Sequence, residues 1–152
     1  MKEKEDLGVL LALAYATFVE ELRADLAREG YDDIHRSFGY VARALAEKPL
    51  LLRDLAARLG VTSQGALKIV DEMEATGYVL RRPDPDDARA KRLYLSKRGE
   101  AALAAARRFH KRFESSLRTR IGAKGVDLAR AMLDEIVAES ERAGRTTVLR
   151  QV

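Results

Sequence analysis

Apolar residues along the chain recur mostly at intervals of three and four. Leu7, Leu10, Leu11, Ala14, Phe18, Leu22 and Leu26 keep that spacing, which predicts a helix with one continuous apolar stripe. Val9, Leu13 and Val19 widen the stripe. A helix apolar around so much of its girth needs more neighbours than a small monomer offers, so a second subunit is expected against it. Gly30 suits its C-terminal cap. Asp32 or Asp33 can cap a second helix whose buried face is Ile34, Phe38, Val41 and Leu45, and Pro49 bars its continuation. A short helix over about 51–59 follows, closed by Gly60, and the Thr62 hydroxyl suits the N-cap of another running to about Thr76. Two helices joined through so tight a turn predict a helix-turn-helix.

After Gly77 the pattern changes period. Residues 78–82 and 91–96 read as strands, the second alternating Leu93 and Leu95 with Arg92 and Tyr94. Pro83, Asp84, Pro85, Asp86 and Asp87 between them make a turn-rich tip, so the unit is a hairpin, or wing. Ser96 can cap a long helix carrying Leu103, Ala106, Phe109, Phe113, Leu117 and Ile121, interrupted by Gly122 and Gly125. A last helix carries Val126, Ala129, Met132, Leu133, Ile136 and Val137, and the stretch from Gly144 has no periodicity. The expected fold class is mainly α with a small β-hairpin wing. A winged helix-turn-helix lobe, 50–98, lies between terminal helices, 1–45 and 97–143, within one domain.

With 152 residues the chain can bury a real core but is short for separate cofactor and substrate lobes. No run approaches the roughly 18 apolar residues a membrane span requires. The apolar segment 9–18 follows a mixed-charge opening (Lys2, Glu3, Lys4, Glu5, Asp6) and precedes no small-residue cleavage site, so a cytoplasmic protein is expected. Cysteine is absent, which removes disulfides, thiolate metal sites and thiol nucleophiles together. The only two histidines, His35 and His110, are far apart in sequence, and neither a phosphate-cradling glycine loop nor a nucleophile elbow is present. An enzyme is not expected, nor a metal or other cofactor. The net charge of +4 mildly favours a polyanionic partner, and its placement must decide.

In the helix after the turn, Ala66, Ile69, Val70 and Met73 share one face. At about 100° per residue, Gln64, Lys68 and Asp71 emerge opposite, flanked by Ser63, Gly65 and Leu67. Lys68 can donate to guanine or phosphate, Gln64 can pair bidentately with adenine, and Leu67 can press on a thymine methyl. Gly65 would let the helix approach a groove closely. On the hairpin, Arg81, Arg82, Arg89, Lys91 and Arg92 cluster, and Arg89 follows two prolines that stiffen the tip for entry into a narrow minor groove. Asp87 is placed to orient Arg89. A solvated polar face and a self-neutralising charged turn remain open, since residues 53–98 hold ten basic against seven acidic side chains.

The segment LAARLGVTSQGALKIVDEMEATGYVLRRPDPDDARAKRLYLSKRG, residues 55–99, resembles the winged-helix core of the MarR (multiple antibiotic resistance regulator) family. It carries the LA pair, the LG turn, a reading helix ending in VD and a hydrophobic residue, the GY boundary, the RRPDP wing and the D-x-R element at Asp87 and Arg89. Lys68 falls where the family commonly places a basic DNA contact. Leu51 departs from a common capping hydroxyl, and Leu67 from a common small polar residue. The resemblance implies a two-fold dimer built from the terminal helices, usually a repressor, often released by a small ligand between its dimer and DNA-binding lobes.

Together these readings give a DNA-binding site of Thr62, Ser63, Gln64, Gly65, Leu67, Lys68, Arg81, Arg82, Asp87, Arg89 and Lys91. The partners expected are double-stranded DNA and a second copy of the chain. A crevice for a small-molecule effector would use Tyr15, Phe18, His35 and Phe38, with Tyr40, although aromatics at helical spacing also suit core or dimer packing. A basic run of eight residues after the wing, from Lys97 and Arg98 to Arg118 and Arg120, faces Glu100 and Glu114 alone, and its first members could meet phosphate. The rival reading is a winged module whose arginines meet acidic side chains of another protein.

Overall fold

The computed structural model describes residues 6–144; the charged opening at Lys2–Glu5 and the aperiodic stretch beyond Gly144 lie outside them. The chain divides into two units, Met1–Asp33 and Ile34–Val152.

The first unit is helix α1 (Leu7–Arg28), which turns out through Gly30 at φ 87°. The Gly30 and Tyr31 N–H groups close it on the Ala27 and Leu26 carbonyls, so the expected glycine cap is present. Of the apolar stripe, only Leu26 is buried, while Leu7, Val9, Leu10 and Leu13 are exposed.

The second unit begins with α2 (Phe38–Glu47), four residues later than the sequence pattern suggests. Neither Asp32 nor Asp33 caps it. His35 forms a turn instead: its carbonyl accepts the Phe38 N–H at 2.8 Å and its Nδ1 accepts the Ser37 N–H at 3.0 Å, leaving Ile34 before the helix. The residue before Pro49 is extended, at φ −165° and ψ 155°, which ends α2 as proline sterics require. Strand β1 (Leu50–Leu51) precedes α3 (Leu52–Leu59). Two leucines give no period, so nothing in the sequence marks this strand. Leu51 is also the N-cap of α3 and supplies no side-chain bond there.

Gly60, at φ 62° and ψ 33°, turns α3 into α4 (Ser63–Ala75). A left-handed residue is cheap only for glycine, and here it lets the Val61 N–H close on the Ala56 carbonyl at 3.1 Å. Strands β2 (Val79–Pro83) and β3 (Lys91–Leu95) pair antiparallel from Val79 opposite Leu95 to Pro83 opposite Lys91. Pro83 therefore belongs to the strand rather than to the tip. Strand β1 adds to the other side of β3, Leu50 opposite Leu93, to make a three-stranded sheet in the order β1-β3-β2.

Helix α5 (Lys97–Arg142) starts at the expected cap: Ser96 Oγ accepts the Gly99 N–H at 2.9 Å and donates to the Gly77 carbonyl at 2.6 Å. The two helices expected here meet at Gly122, whose φ of 80° and ψ of 158° are non-helical and kink the span where the sequence places the interruption. Arg118 bonds Glu114 and Asp127, and Arg130 reaches Glu114 at 2.7 Å, so ion pairs span the break. The core of this unit is Val41, Leu55, Ala66, Val70, Met73, Tyr78, Val79, Leu93 and Ala102, which binds α2, the helix-turn-helix, the sheet and the start of α5 into one body.

A candidate nucleic-acid interface

The geometry of α4 follows from its two faces. Ala66, Ile69, Val70 and Met73 are buried, all but Ile69 completely, and they anchor the back of the helix. Gln64, Leu67, Lys68 and Asp71 are exposed on the other side, as their spacing predicts, and Ser63 is exposed at the start. Thr62 Oγ1 accepts the Gly65 N–H at 3.0 Å, the expected cap. A side chain at Gly65 would meet that Oγ1 at 3.3 Å and the Val61 Cβ at 3.7 Å. Close packing of the turn on itself therefore accounts for Gly65.

The wing tip is built around Asp84, one of five turn-forming residues in its sequence. Asp84 is 6% exposed, and its Oδ1 accepts the Asp86 N–H at 2.8 Å and the Asp87 N–H at 3.2 Å. Its Oδ2 accepts from Arg92 Nε at 2.6 Å and from Nη2 at 2.5 Å. The Asp86 N–H foremost, with Arg92, holds this carboxyl below the usual carboxylate range, and the bond to the Asp84 carboxylate raises Arg92. The signal was there in the D-P-D-D order, since an aspartate readily accepts backbone N–H groups two and three residues on. Asp87 acts similarly: its Oδ1 accepts the Arg89 backbone N–H at 3.0 Å. It orients Arg89 through the main chain.

The cationic hairpin residues thus fall into two groups. Arg89, Lys91 and Arg82 are exposed, with the Arg82 guanidinium 5.5 Å from the Tyr94 ring centre. Arg92 is tied to Asp84. Arg81 is tied to α4: its Nη2 pairs with Asp71 and its Nε lies 3.0 Å from Glu74 Oε2. Beside the hairpin, Arg98 stacks 4.7 Å over the fully buried Tyr78 ring and donates to its hydroxyl at 3.1 Å.

The expected effector residues do not share one role. Tyr15 is exposed on α1 and Phe18 half-buried there. Phe38 is 2% exposed and packs edge-on against Tyr78, centroids 5.3 Å apart, as core. His35 Nε2 lies 3.2 Å from Glu72 Oε2 on α4. Because its Nδ1 accepts from Ser37, the ring proton sits on Nε2 and donates to Glu72 in the neutral form. Burial lowers the His35 pKa, Glu72 opposes that, and Arg36 and Lys68 add to it. A half-open cavity of about 300 Å³ lies elsewhere, between the end of α2, β3 and the start of α5, lined by Leu45, Pro49, Tyr94, Leu103, Glu100 and Arg107 among others. Among the described residues, no group of side chains could hold a metal ion and no helix is long and apolar enough to cross a membrane.

Residues 34–90 match the model of the MarR family. No curated protein sequence matches the chain. Among solved structures, the chain is similar to the transcriptional repressor CouR bound to a 23-mer DNA duplex, at 26% identity and TM-score 0.68, over 86% of this chain and 92% of that one. It also shares its fold with the reduced form of MarR from E. coli, at 20% identity and TM-score 0.70, over 90% of this chain and 99% of that one. A Cys-to-Ser mutant of the same E. coli protein complexed with operator DNA aligns at 20% identity and TM-score 0.68, over 86% and 93% of the two chains. The family match covers α2, the helix-turn-helix and the wing tip, the elements that place Lys68 and Arg89.

Proposed function

We infer that this protein is a transcriptional repressor that binds double-stranded DNA sequence-specifically, as a homodimer on a palindromic operator in the cytoplasm, and has no catalytic activity. The observation that carries the reading is the exposed Gln64–Leu67–Lys68 face on a helix anchored by four buried apolar residues, beside a wing whose Arg89 is exposed on a braced tip. In the major groove Gln64 and Lys68 read base edges, Leu67 meets a thymine methyl, and Thr62 and Ser63 approach phosphate at the helix start. Arg82, Arg89 and Lys91 follow the wing into the minor groove and along the backbone.

Dimerisation is supported by the apolar residues each unit leaves exposed: Leu7, Val9, Leu10 and Leu13 on α1, and Leu128, Met132, Leu133, Ile136 and Val137 in the last part of α5. A two-fold pair would set the reading helices roughly 34 to 36 Å apart, one turn of DNA. A small effector that favours another separation would release the operator. Of the residues proposed for such an effector, Phe38 serves the core.

If each subunit neutralises about three to five phosphates, log affinity falls with log salt at a slope of roughly −5 to −9. Fluorescence anisotropy across a salt series on duplexes enriched by the protein from a random library measures this directly. A flat response, or failure to enrich any duplex, refutes the reading.

A further inference from the structure

The reading helix turns acidic after Lys68. Asp71, Glu72 and Glu74 bring negative charge to an element that must approach phosphates, which is unfavourable unless the carboxylates are occupied. All three have partners, and for Asp71 and Glu74 the partner is a cation. Glu72 faces His35 at 3.2 Å, and Asp71 and Glu74 both face Arg81, the one through Nη2 and the other at 3.0 Å from Nε.

Arg81 is unlike the exposed arginines of the hairpin. Its side chain is 24% exposed, and its Nε is sealed from solvent, close enough to Glu74 to pair charges though off the axis of a hydrogen bond. The only chain connection between α4 and β2 is Thr76–Gly77–Tyr78, in which Gly77 takes φ 80°. Arg81 lies four residues after that glycine, and Asp71 and Glu74 lie six and three before it. The ion pairs therefore bracket the bend between the helix that would enter the major groove and the strand that leads to the wing. A planar guanidinium can engage two carboxylates at once; an ammonium has no such fork.

We propose that Arg81 is a positioning residue that makes no DNA contact: held between Asp71 and Glu74, it fixes the angle between reading helix and wing, so that Lys68 and Arg89 meet the duplex together. This inference rests on the DNA-binding reading above. It replaces the sequence-based assignment of Arg81 to the DNA contacts. It also gives the acidic end of α4 a function, since the carboxylates that oppose phosphate electrostatically are the ones that set the geometry.

The test compares affinity for a duplex enriched by the wild-type protein with affinity for a shuffled duplex of equal composition, over about 50 to 300 mM salt. Circular dichroism melting accompanies each variant. Arg81→Gln and Arg81→Lys should both weaken binding to the enriched duplex, on the order of tenfold, with the salt slope unchanged. The paired Asp71→Asn, Glu74→Gln variant should lose the same discrimination although it is more positive by the two carboxylates removed, and it should bind the shuffled duplex more tightly. A slope shallower by about one in Arg81→Gln, restored by Arg81→Lys, would mark a phosphate contact and overturn the proposal. Tighter binding of the paired variant to both duplexes would overturn it equally, and that variant keeps the test decisive if Arg81→Gln fails to fold. A wild-type protein that enriches no duplex defeats the DNA reading itself, which is a different result from any of these.

Discussion

Replacing Gly99 by alanine should separate the wing lobe from α5. A Cβ built at Gly99 falls 2.3 Å from the Tyr78 carbonyl oxygen, 2.6 Å from Leu95 Cδ1 and 2.9 Å from Leu95 Cγ. Leucine can rotate, but the carbonyl is main chain at the corner where α4 becomes β2, and it already accepts the Ser96 N–H at 3.0 Å. Ordinary contact demands a shift of roughly 1 Å, which strains the Ser96 bonds to Tyr78 and to Gly77 as well. Overpacking of this kind costs about 1–3 kcal/mol, each weakened hydrogen bond about 1 more, and the better helix propensity of alanine returns roughly 1. The net loss is about 3 kcal/mol. For a chain of this size each kcal/mol moves Tm by about 2–4 °C, so calorimetry should show a drop of roughly 6–12 °C. Gly8→Ala is the control: nothing lies within 4 Å of its Cβ, and it sits inside α1, so Tm should hold or rise. An unchanged Tm in Gly99→Ala would mean that Tyr78 and the start of α5 are not packed as described.

Other substitutions address the reading face and the histidines. Thr62→Ala removes the oxygen that accepts the Gly65 N–H and should cost about 1 kcal/mol in chemical denaturation, with reduced DNA affinity because the reading helix frays at its working end. Lys68→Ala should weaken binding by about 1–3 kcal/mol in anisotropy, with discrimination lost as well if the ammonium reads a base; unchanged affinity removes it from the interface. Both histidines are held neutral: burial lowers His35, and burial followed by Arg43, whose Nη2 lies 3.3 Å from His110 Nε2, lowers His110. Since the unfolded chain binds these protons more readily, stability is fully present above the ordinary histidine value and is lost as pH falls through it. Melting from pH 8 to pH 5 should show that decline, and a His35→Asn, His110→Gln double variant should flatten it; an identical profile would exclude the histidines as its cause.

The parts of this fold that the sequence made legible are those where one residue decides a local geometry. Thr62 caps α4, Ser96 caps α5, and Gly60 turns between the two helices because in each case a side chain or its absence acts within a few residues. The faces of α4 were legible for the same reason, through a period sustained by Ala66, Ile69, Val70 and Met73. What escaped depends on partners distant in the chain. Strand β1 exists because Leu50 finds Leu93, more than forty residues away. The start of α2 shifts because His35 and Ser37 make a turn that outcompetes Asp32 and Asp33 as caps. The same distinction divides the basic hairpin. Counting its arginines treats them as equivalent, but Arg92 is committed to Asp84, eight residues earlier, and Arg81 to Asp71 and Glu74 on the preceding helix. Only the remaining cations are exposed to a polyanion. A charge count therefore overstates the wing's electrostatic pull and understates its rigidity. On that view the salt slope of the intact protein should reflect Arg82, Arg89, Lys91 and Lys68 far more than the two arginines that brace the hairpin.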